Sequence, residues 1–400
     1  GHVLGRSFGF TAPSDKLNIA GIGVGGMGRR NLANMSTENI VALCDVDWHY
    51  ADKTFKDYPN ARRFKDWRVM FDEIGSSIDA VMVATPDHTH AGVTAHAITL
   101  GKHCYTQKPL THSVYESRLL TRLAKKYKVA TQMGNQGNSF DWCRQVAEWI
   151  QSGIIGDVYE VHCWTDRPIW PQGLQEPKTV VKCPKTLDWE MWIGPAPMNV
   201  YNEELAPPME RNMFPNWRNY REYGGGMICD WGAHMFDIAQ WALGMDDSGP
   251  IEFTPPEEGE LKPLSMRYAN GTVMTHEPFR KADGNAVRFI GSDGVIDISR
   301  SFLDTIPAKL QDEVIGDDKI KLYKSDDHYN DFLTAMKTRK QPLSTVEIGH
   351  RTASLCHIVN LCYEFDRKLV WNPEKEEFFF DDEANRRRGN PIREPYSLKV

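Results

Sequence analysis

The chain has 400 residues, of which 41% are hydrophobic and 25% are charged, and its formal net charge at pH 7 is −7. This composition is that of an ordinary globular protein, and the length suggests two or three domains of about 150 residues each. Lysine and arginine residues are scattered along the sequence without a basic excess, which excludes nucleic acid as an expected partner. No apolar run approaches the roughly 20 residues that cross a bilayer, so we predict no membrane span.

The first residues carry no clear structural pattern. The chain opens with Gly1 rather than methionine, and residues 2–16 have little helical or strand character. Such a start is typical of a mature protein whose leader has been removed, although a trimmed cytosolic protein would begin in the same way. We therefore expect an exported, periplasmic protein, with a cytoplasmic location as the alternative.

The eight cysteines are spread through the sequence without a CxxC pair, and several of them lie inside apolar runs. Disulfide-stabilised domains and structural zinc sites usually show regular cysteine spacing. The sequence therefore predicts neither a disulfide framework nor a zinc site.

Short apolar runs alternate with amphipathic segments of helical length over residues 15–136. This alternation is typical of a doubly wound parallel sheet with right-handed crossovers, and we assign the region to one α/β domain. Strands are predicted at 17–24, 40–46, 80–85, 103–107 and 129–133, and helices near 26–35, 49–57, 66–73, 91–100 and 113–127.

The pattern changes after residue 136, and we assign residues 137–370 to a second, α+β domain and residues 371–400 to a charged tail. Asn270-Gly271 suits a type I′ hairpin turn and residues 292–294 suit another turn, so hairpins of an antiparallel sheet are expected. The predicted segments are a helix near 138–152, a strand within 157–167, a Pro- and Trp-rich passage at 168–221 and a helix at 345–368.

The first predicted strand runs directly into the glycine-rich sequence GIGVGGMG, which precedes a predicted helix. Gly23, Gly25 and Gly28 match the pattern G-x-G-x-x-G, and Gly21, Gly23 and Gly26 fit a second register. In such a turn the first glycine permits the bend, the second lets the backbone approach a pyrophosphate and the third lets helix and strand pack closely. The position between a strand and a helix favours a nucleotide-binding turn over a merely glycine-rich one.

The end of the second predicted strand indicates which dinucleotide is bound. Asp45 lies about 17 residues after the glycine turn, where its carboxylate can accept hydrogen bonds from ribose hydroxyls and would repel a 2′-phosphate. Val46 and Asp47 follow it and offer no arginine for such a phosphate. The sequence therefore predicts NAD rather than NADP.

Residues 224–244, GGGMICDWGAHMFDIAQWALG, place three ionisable side chains in an apolar run of helical length. Asp230, His234 and Asp237 are spaced i, i+4 and i+7, so one helix would point them the same way. Burying such groups is costly unless they are paired or used. Proton transfer is one use, because a histidine titrates near neutral pH and a carboxylate one turn away can fix its tautomer. The alternatives are a core histidine satisfied by an aspartate, and a metal site built from the three residues.

Lys108 lies just after the predicted strand at 103–107 and just before a proline. Doubly wound sheets bind ligands at the carboxyl ends of their strands. This position favours a lysine that contacts a ligand over a solvated cation in a loop.

Taken together, these motifs resemble those of the Gfo/Idh/MocA oxidoreductases, a family that includes glucose-fructose oxidoreductase and inositol dehydrogenase. The resemblance covers most of residues 15–370. Gln107 stands where the family usually has glutamate, which removes a charge that could pair with the following lysine. The motifs occur in the order GIGVGGMGRRN, CDVD, TPDHTH, GKHCYTQKPL, MGNQG and the aspartate–histidine segment.

The resemblance implies roles for three residues. His234 would be the general acid/base, Lys108 would hydrogen-bond the same substrate oxygen, and Asp230 would orient His234 and contact substrate. Alcohol oxidation releases a proton and a hydride together, so a base and a donor at one oxygen suit this chemistry, which needs no metal. The residues implied to bind the cofactor are Gly23, Gly25, Gly26, Met27, Gly28, Asp45, Thr85, Pro86, His90, Gln107, Lys108 and Asn135.

The resemblance also implies an N-terminal Rossmann domain and a C-terminal domain with an open, mostly antiparallel sheet that mediates substrate binding and oligomerisation. A homodimer or homotetramer is therefore expected. Similar bacterial proteins are exported in folded form, and an exported dehydrogenase cannot depend on free NAD. A tightly retained cofactor is expected for that reason.

Nine of the twelve tryptophans lie between Trp142 and Trp241. Flat aromatic faces suit the C–H faces of sugar rings, and Arg167 and Trp170 lie together in WTDRPIWPQG, so a carbohydrate or cyclitol pocket is expected. The alternative is that most of these tryptophans build a core. The residues expected to bind substrate are Lys108, Arg167, Trp170, Asp230 and His234.

Three functional classes follow from the sequence. The first is an NAD-dependent oxidoreductase acting on a secondary alcohol or ketone of a sugar, glycoside or cyclitol. The second is a glycosidase that oxidises its substrate transiently and cleaves it by elimination. The third is a non-catalytic protein that senses a nucleotide.

Overall fold

The computed structural model describes residues 15–165, 170–177, 179–257, 262–279 and 284–398. These residues form one six-stranded sheet and one nine-stranded sheet, both covered by helices, so the predicted α/β fold class is confirmed. Among the helices of these residues, none combines the length and the apolar character needed to cross a membrane.

The first sheet consists of six parallel strands. They are β1 (Asn18–Ile22), β2 (Asn39–Cys44), β3 (Arg62–Phe64), β4 (Ala80–Val83), β5 (His103–Thr106) and β6 (Thr131–Met133). Their order across the sheet is β3-β2-β1-β4-β5-β6, so the direction of winding reverses between β1 and β4. In sheets of this type ligands bind at that reversal, outside the carboxyl ends of the strands.

Five helices follow the strands of the first sheet, and each begins within one residue of its predicted start. They are α1 (Gly26–Ala33), α2 (Trp48–Asp57), α3 (Trp67–Ile74), α4 (His90–Thr99) and α5 (Val114–Tyr127). Side-chain caps fix three of these starts: Asp47 accepts hydrogen bonds at the beginning of α2, Asp66 accepts one at the beginning of α3 and Ser113 accepts one at the beginning of α5. Such caps satisfy N–H groups that have no partner inside the helix.

The sequence prediction missed the edge strand β3. Its residues read RRF, and the two arginines are exposed while Phe64 is buried. Charged residues are common on edge strands because they discourage pairing with another sheet. The strand therefore lacks the apolar run by which the other five were recognised.

The second sheet contains nine strands and is mostly antiparallel, as predicted. They are β7 (Val158–Trp164), β8 (Glu252–Thr254), β9 (Leu264–Arg267), β10 (Val273–His276), β11 (Ala286–Gly291), β12 (Val295–Ile298), β13 (Leu303–Ile306), β14 (Leu369–Asn372) and β15 (Glu377–Phe378). Their order is β13-β12-β11-β7-β10-β9-β8-β14-β15, and only β7 and β10 pair in parallel.

Seven helices accompany the second sheet in the sequence. They are α6 (Asp141–Gln151), α7 (Trp189–Ile193), α8 (Gly226–Asp230), α9 (Gly232–Ala242), α10 (His328–Thr338), α11 (Val346–Phe365) and α12 (Asp382–Arg386). One apolar core joins α6, α9 and α11 to the sheet, with Trp149, Phe236 and Phe289 fully buried within it. The predicted helices at 138–152 and 345–368 correspond to α6 and α11.

The hairpin between β9 and β10 is present, but the predicted type I′ turn is wrong. That turn needs positive φ at both central residues, whereas Gly271 has φ of +92° and Asn270 is outside the positive region. The Gly271 N–H donates to the Tyr268 carbonyl at 3.0 Å, which places the turn one residue earlier. Tyr268 is fully buried, so the core rather than the turn sequence sets the register.

Residues 371–398 do not form a separate tail. The predicted boundary falls inside β14, and β15 extends the same sheet. The helix α10 lies within the predicted second domain, yet its Phe332 and Met336 belong to an apolar core with β1, β2 and β4 of the first sheet. Sequence patterns do not reveal such long-range pairing. The short β15 and the amphipathic α10 have local patterns that are compatible with either domain.

The described part of the Pro- and Trp-rich passage contributes to a small core of its own. Leu187, Trp192, Ile193, Leu205 and Trp217 are buried together there. These two tryptophans therefore have a packing role, which agrees with the alternative interpretation of the tryptophan cluster.

The core of the second sheet allows a test of the fold. Replacing Phe289 of β11 by alanine should lower the free energy of unfolding by about 3–5 kcal/mol, because it empties a fully buried site. Replacing Tyr159, which is 55% exposed on β7, should change it by less than about 0.5 kcal/mol. Urea denaturation of the two variants measures both values, and equal losses would contradict the position of the core.

Candidate active site

The glycine-rich turn lies between β1 and α1, where the winding of the first sheet reverses. Gly23 has φ of +76°, and a Cβ added there would lie 2.7 Å from the carbonyl carbon of Ala84. A Cβ at Gly28 would overlap the carbonyl oxygen of Gly23, so this glycine permits close packing. Gly25 is the N-cap of α1 and makes no side-chain cap. The first N–H groups of α1 can therefore bind an anion such as a pyrophosphate.

Asp45 follows β2 and is tied to the glycine turn. Its Oδ2 accepts a hydrogen bond from the Val24 N–H at 2.9 Å, and its Oδ1 accepts one from the Asp47 N–H at 2.9 Å. Burial raises the pKa of Asp45 to about 6, although these two hydrogen bonds oppose the shift. An ionised carboxylate has about four acceptor positions, so it can still accept a hydrogen bond from a ribose hydroxyl.

The predicted cofactor ligand His90 is placed differently from the expectation. It is 1% exposed, and its ring lies between two carbonyl oxygens, with Nδ1 2.9 Å from that of Pro109 and Nε2 2.7 Å from that of Thr85. His90 therefore joins the loops that follow β4 and β5. Thr85 and Pro86, which begin the first of these loops, lie beside the glycine turn, since the Thr85 backbone nitrogen is close to Gly23.

Gln107 is enclosed within the first domain. Its Nε2 donates to Asn31 Oδ1 on α1 at 2.9 Å, and Asn31 donates in turn to the Tyr329 hydroxyl at 2.8 Å. A Cβ at Gly134 would lie 2.7 Å from the Gln107 amide, so the loop after β6 closes over it. The family usually has a glutamate at this position, and a carboxylate could not donate this hydrogen bond to Asn31. The glutamine therefore supplies a contact between the loop after β5 and α1.

Lys108 of the first domain meets Asp230 of the second. Its Nζ donates to both the carbonyl oxygen and Oδ1 of Asp230, each at 2.7 Å. Arg218 donates to the same Oδ1 at 3.2 Å. Burial opposes ionisation of Asp230, but the charges of Lys108 and Arg218 outweigh it and lower the pKa of this carboxyl group to about 2. Asp230 is therefore an anion held between two cations.

Asp230 and His234 do not lie on one helix. The structure has α8 ending at Asp230 and α9 beginning at Gly232, with Trp231 between them. The carboxylate of Asp230 is hydrogen-bonded to Lys108 and Arg218, not to His234. The prediction that Asp230 orients His234 therefore finds no hydrogen bond between the two side chains, because the carboxylate is bonded to the two cations instead.

His234 lines a narrow pocket. Asn135, Asn138 and Asp237 also line this pocket, and Arg300 of the second sheet faces it. Burial lowers the pKa of His234 well below its ordinary value, and the charges of Lys108 and Arg300 lower it further. His234 is therefore a neutral imidazole that can accept a proton.

Asp237, whose role the sequence did not decide, makes a contact with α11. Its Oδ1 accepts a hydrogen bond from the Thr352 hydroxyl of α11 at 2.7 Å, and burial raises the pKa of Asp237 to about 6. Asp230, His234 and Asp237 are not gathered as metal ligands. In the described ranges the group that brings such atoms within 4.8 Å is Glu160, His162 and Glu277.

Asn135 connects the two domains beside the pocket. Its Nδ2 donates to the carbonyl oxygen of Ala233 in α9 at 2.8 Å. The predicted substrate ligand Trp170 stacks on Tyr363 of α11, with ring centroids 4.8 Å apart and an interplanar angle of 7°. Arg167 lies outside the described residues. Of the predicted substrate residues, the structure therefore brings together Lys108, Asp230 and His234.

Two further residues of this site were missed in the sequence. Arg218 belongs to an irregular segment, and its only local signal is an arginine between aromatic residues in FPNWRNY. Asp87 lies in the TPDHTH motif and is buried near Lys108, Arg218 and Asp230. Burial raises its pKa to about 8, against the charge of Arg218 and with that of Asp230. A carboxyl group in the middle of a matched motif was the signal for Asp87.

Two sequence profiles of one oxidoreductase family match the chain. The profile of its NAD-binding Rossmann fold matches residues 17–135, and the profile of its C-terminal alpha/beta domain matches residues 144–398. The chain belongs to the Gfo/Idh/MocA oxidoreductase family. It is therefore an NAD-binding oxidoreductase.

Curated relatives of this family member include a rhizopine catabolism protein and dehydrogenases named for inositols and a glucoside. Rhizopine catabolism protein MocA of Rhizobium meliloti is 23% identical over 287 residues, 70% of each chain. Inositol 2-dehydrogenase/D-chiro-inositol 3-dehydrogenase of Lacticaseibacillus casei is 28% identical over 35% of this chain and 42% of its own. D-Glucoside 3-dehydrogenase of Escherichia coli is 24% identical over 58% of this chain and 55% of its own. The chain thus aligns with about half the length of these two dehydrogenases.

Solved structures share the fold over most of the chain. Levoglucosan dehydrogenase, in complex with NADH and levoglucosan, has a TM-score of 0.61 and 18% identity over 88% of this chain and 99% of its own. Myo-inositol 2-dehydrogenase from Lactobacillus plantarum has a TM-score of 0.60 and 16% identity over 89% of this chain and 99% of its own. At these identities the likeness concerns the fold.

The residues around the glycine turn fit an NAD molecule. The first turn of α1, which contains Gly26 and the 45% exposed Met27, offers N–H groups for the pyrophosphate. Asp45 has carboxylate positions for the ribose, and Thr85 begins the loop next to the turn. When bound, NAD supplies the acceptor for a hydride.

The position of Asp45 leads to a binding prediction. Replacing Asp45 by alanine should weaken the binding of NAD and affect the binding of NADP less. The reason is that the repulsion of a 2′-phosphate is lost together with the ribose contacts. Fluorescence titration with both nucleotides measures the preference. Asp52→Ala, which removes only an exposed ion pair with Lys56, is the matched control and should behave like the wild type. Equal weakening of NAD and NADP would mean that Asp45 only supports the turn.

Proposed function

We propose that the protein transfers a hydride between NAD and a secondary alcohol or ketone carbon of a sugar, glycoside or cyclitol. The observation that carries the proposal is the closeness of Lys108 to the neutral His234, whose pKa the lysine charge lowers, beside the ion pair of Lys108 with Asp230 that follows β5. The substrates in the names of the relatives, inositols, a glucoside and levoglucosan, support the substrate class.

His234 acts as the general base in oxidation. Removing a hydride from a carbinol carbon makes its hydroxyl proton strongly acidic, and a base within hydrogen-bond reach can then accept that proton. A neutral imidazole serves this purpose, and its low pKa keeps it unprotonated on acidification through the ordinary range of histidine. In the direction of reduction the protonated ring returns the proton to the oxygen.

Lys108 stabilises charge on the same oxygen. An ammonium group has three N–H donors, and two of those of Lys108 go to Asp230. The third is available to the substrate oxygen, where it stabilises developing negative charge. Asp230 is the positioning residue of this arrangement, since it fixes the direction of the ammonium group and balances its charge.

Anaerobic incubation with candidate sugars and cyclitols, followed at the absorbance band of reduced nicotinamide, tests the function. Accumulation of reduced cofactor with any of these polyols is the expected result. Glycoside cleavage without accumulation would mean the transient oxidation and elimination route instead. Binding of the nucleotide with neither reaction would mean a nucleotide sensor.

Tight retention of NAD and formation of a homodimer or homotetramer are part of the proposal, and the family resemblance supports both. Mass spectrometry of the denatured purified protein should release NAD if it is retained, and light scattering should give the oligomer mass. Export to the periplasm stays a prediction.

The role of His234 leads to a kinetic prediction. His234→Asn should lower turnover by about 100-fold or more while NAD affinity changes little, because general acid/base catalysis contributes about 10²–10⁴-fold. Single-turnover kinetics and NAD titration give the two readouts. His96→Asn, a ring on α4 that packs against Trp67, is the control and should retain turnover. Unchanged turnover in His234→Asn would remove this residue from the mechanism.

The charge of Lys108 leads to a prediction on pH dependence. Below the pKa of His234 the ring is protonated and cannot accept a proton, so kcat/KM for oxidation falls on acidification. Lys108→Met removes a cation that lowers this pKa, so the fall should begin at a higher pH than in the wild type, with kcat about 10²–10³-fold lower.

The matched control is Lys125→Met, an exposed residue of α5, which should keep the wild-type profile. The pH profile of kcat/KM measures all three proteins. A fall that begins at the same pH in Lys108→Met and the wild type would contradict the electrostatic coupling.

A further inference from the structure

The second sheet carries a cluster of three ionisable side chains that the proposed reaction does not use. Glu160 and His162 belong to β7, and Glu277 follows β10, the strand that pairs in parallel with β7. One atom of each residue that could bind a metal lies within 4.8 Å of the corresponding atoms of the other two. We call these three residues the Glu–His–Glu cluster.

The sheet separates this cluster from the candidate active site. Successive side chains of a strand point to opposite faces of its sheet. Val161 and Cys163 of β7 are buried in the apolar core with α9, the helix that carries His234. Glu160 and His162 alternate with these two residues along the strand, so they lie on the opposite face.

The distances within the cluster suit ligands of one metal ion. His162 Nε2 lies 2.5 Å from Glu160 Oε1 and 3.4 Å from Glu277 Oε1. Imidazole and carboxylate ligands bind zinc at about 2.0–2.2 Å, so two of them in a tetrahedral site lie about 3.3–3.6 Å apart. The contact with Glu277 has this length, and the contact with Glu160 would lengthen by about 1 Å. The Glu160 side chain is 40% exposed, so it has room for that movement.

The surroundings of the cluster direct its polar atoms toward one another. Thr275 Oγ1 donates to Glu277 Oε1 at 2.7 Å, which orients that carboxylate. The His162 side chain is 15% exposed, and its Nδ1 is buried with no hydrogen-bond partner among the described residues. The polar contacts of the ring are therefore those with the two glutamates. A ligating histidine usually donates its second N–H to an acceptor, so we expect a micromolar affinity rather than a tighter one.

The cluster has no basic side chain to balance its carboxylates. In the part of the chain that the structure describes, no lysine or arginine forms an ion pair with Glu160 or Glu277. Arg288 lies opposite His162 in the sheet register, but it forms two hydrogen bonds with Asp297 instead. A histidine carries at most one positive charge, so two ionised glutamates keep the cluster negative. Carboxylates this close repel each other, and a divalent cation offsets that repulsion.

We propose that Glu160, His162 and Glu277 bind a divalent transition-metal ion of the zinc type. One imidazole and two carboxylates are ligands that Zn²⁺ accepts, and three protein ligands leave a fourth position to water. Mg²⁺ and Ca²⁺ favour sites of six or more oxygen ligands, and the imidazole disfavours them. The ion joins the end of β10 to β7 and stabilises the folded state by mass action. The cluster contains no cysteine, so cysteine spacing could not indicate it.

Zinc titration of the NAD-loaded protein tests the proposal. The protein is dialysed against EDTA and then against chelator-free buffer with millimolar Mg²⁺, and Zn²⁺ is added in a calorimeter. The wild type should show a micromolar Zn²⁺ site. His162→Asn and Glu277→Gln should each weaken it by about 100-fold or more, because even a supporting contact outside the ligand set contributes roughly 10- to 100-fold.

His49→Asn is the matched control, since His49 of α2 lies 3.4 Å from the single carboxylate of Glu210. It should keep the wild-type zinc site. Thermal unfolding gives a second readout: Zn²⁺ should raise the Tm of the wild type and of His49→Asn, and should not raise that of Glu277→Gln. Glu277→Gln preserves the shape of a partly exposed side chain, so in EDTA it should melt like the wild type.

Three results would overturn the proposal. Absence of a micromolar Zn²⁺ site in the wild type would leave the cluster as a histidine hydrogen-bonded to a glutamate. Zinc binding that survives unchanged in His162→Asn and Glu277→Gln would belong to other residues. Displacement of Zn²⁺ by millimolar Mg²⁺ would indicate a site formed by carboxylates alone. The cluster lies on the other face of the sheet from His234, so none of these results bears on the proposed hydride transfer.

Discussion

The ion pair between Lys108 and Asp230 is the contact on which the arrangement of the site depends. Lys108 follows β5 of the first sheet and Asp230 ends α8 of the second domain, so the pair joins the two domains where the chemistry is proposed. Both side chains are at most 20% exposed. Loss of one partner would leave the other charge largely buried, at a cost of about 3–5 kcal/mol. The same contact holds the ammonium group close enough to His234 for its charge to lower the pKa of that ring.

The neutrality of His234 follows mainly from its burial, and the nearby cations reinforce it. Burial disfavours its charged form, and Lys108 and Arg300 add repulsion to it. A histidine in such surroundings accepts a proton in the transition state without being charged at rest, which suits oxidation of an alcohol. An aspartate bonded directly to the ring would have the opposite effect. Asp230 instead bonds Lys108 and Arg218. The proton acceptor, His234, and the group that stabilises charge, Lys108, are therefore separate residues.

Apart from the edge strand β3, the order of strands and helices in the first domain could be predicted, because hydrophobic periodicity is a local property of the sequence. The glycine turn and the lysine–histidine pair were likewise visible as motifs. Contacts between distant parts of the chain could not be predicted. Arg218 bonds Asp230 from an irregular segment, and the His90 ring lies between the carbonyl oxygens of Thr85 and Pro109. The break at Trp231 and the register set by buried Tyr268 depend on tertiary packing, which the spacing of residues does not encode.

The central claim is that Lys108 and His234 both hydrogen-bond the same substrate oxygen. A crystal structure of the protein with NADH and a bound polyol tests it most directly. The prediction is one hydroxyl oxygen within about 2.6–3.2 Å of both Lys108 Nζ and a ring nitrogen of His234. A polyol whose carbinol oxygen beside the nicotinamide contacts neither residue, or contacts Asp230 while His234 stays away from it, would contradict the claim.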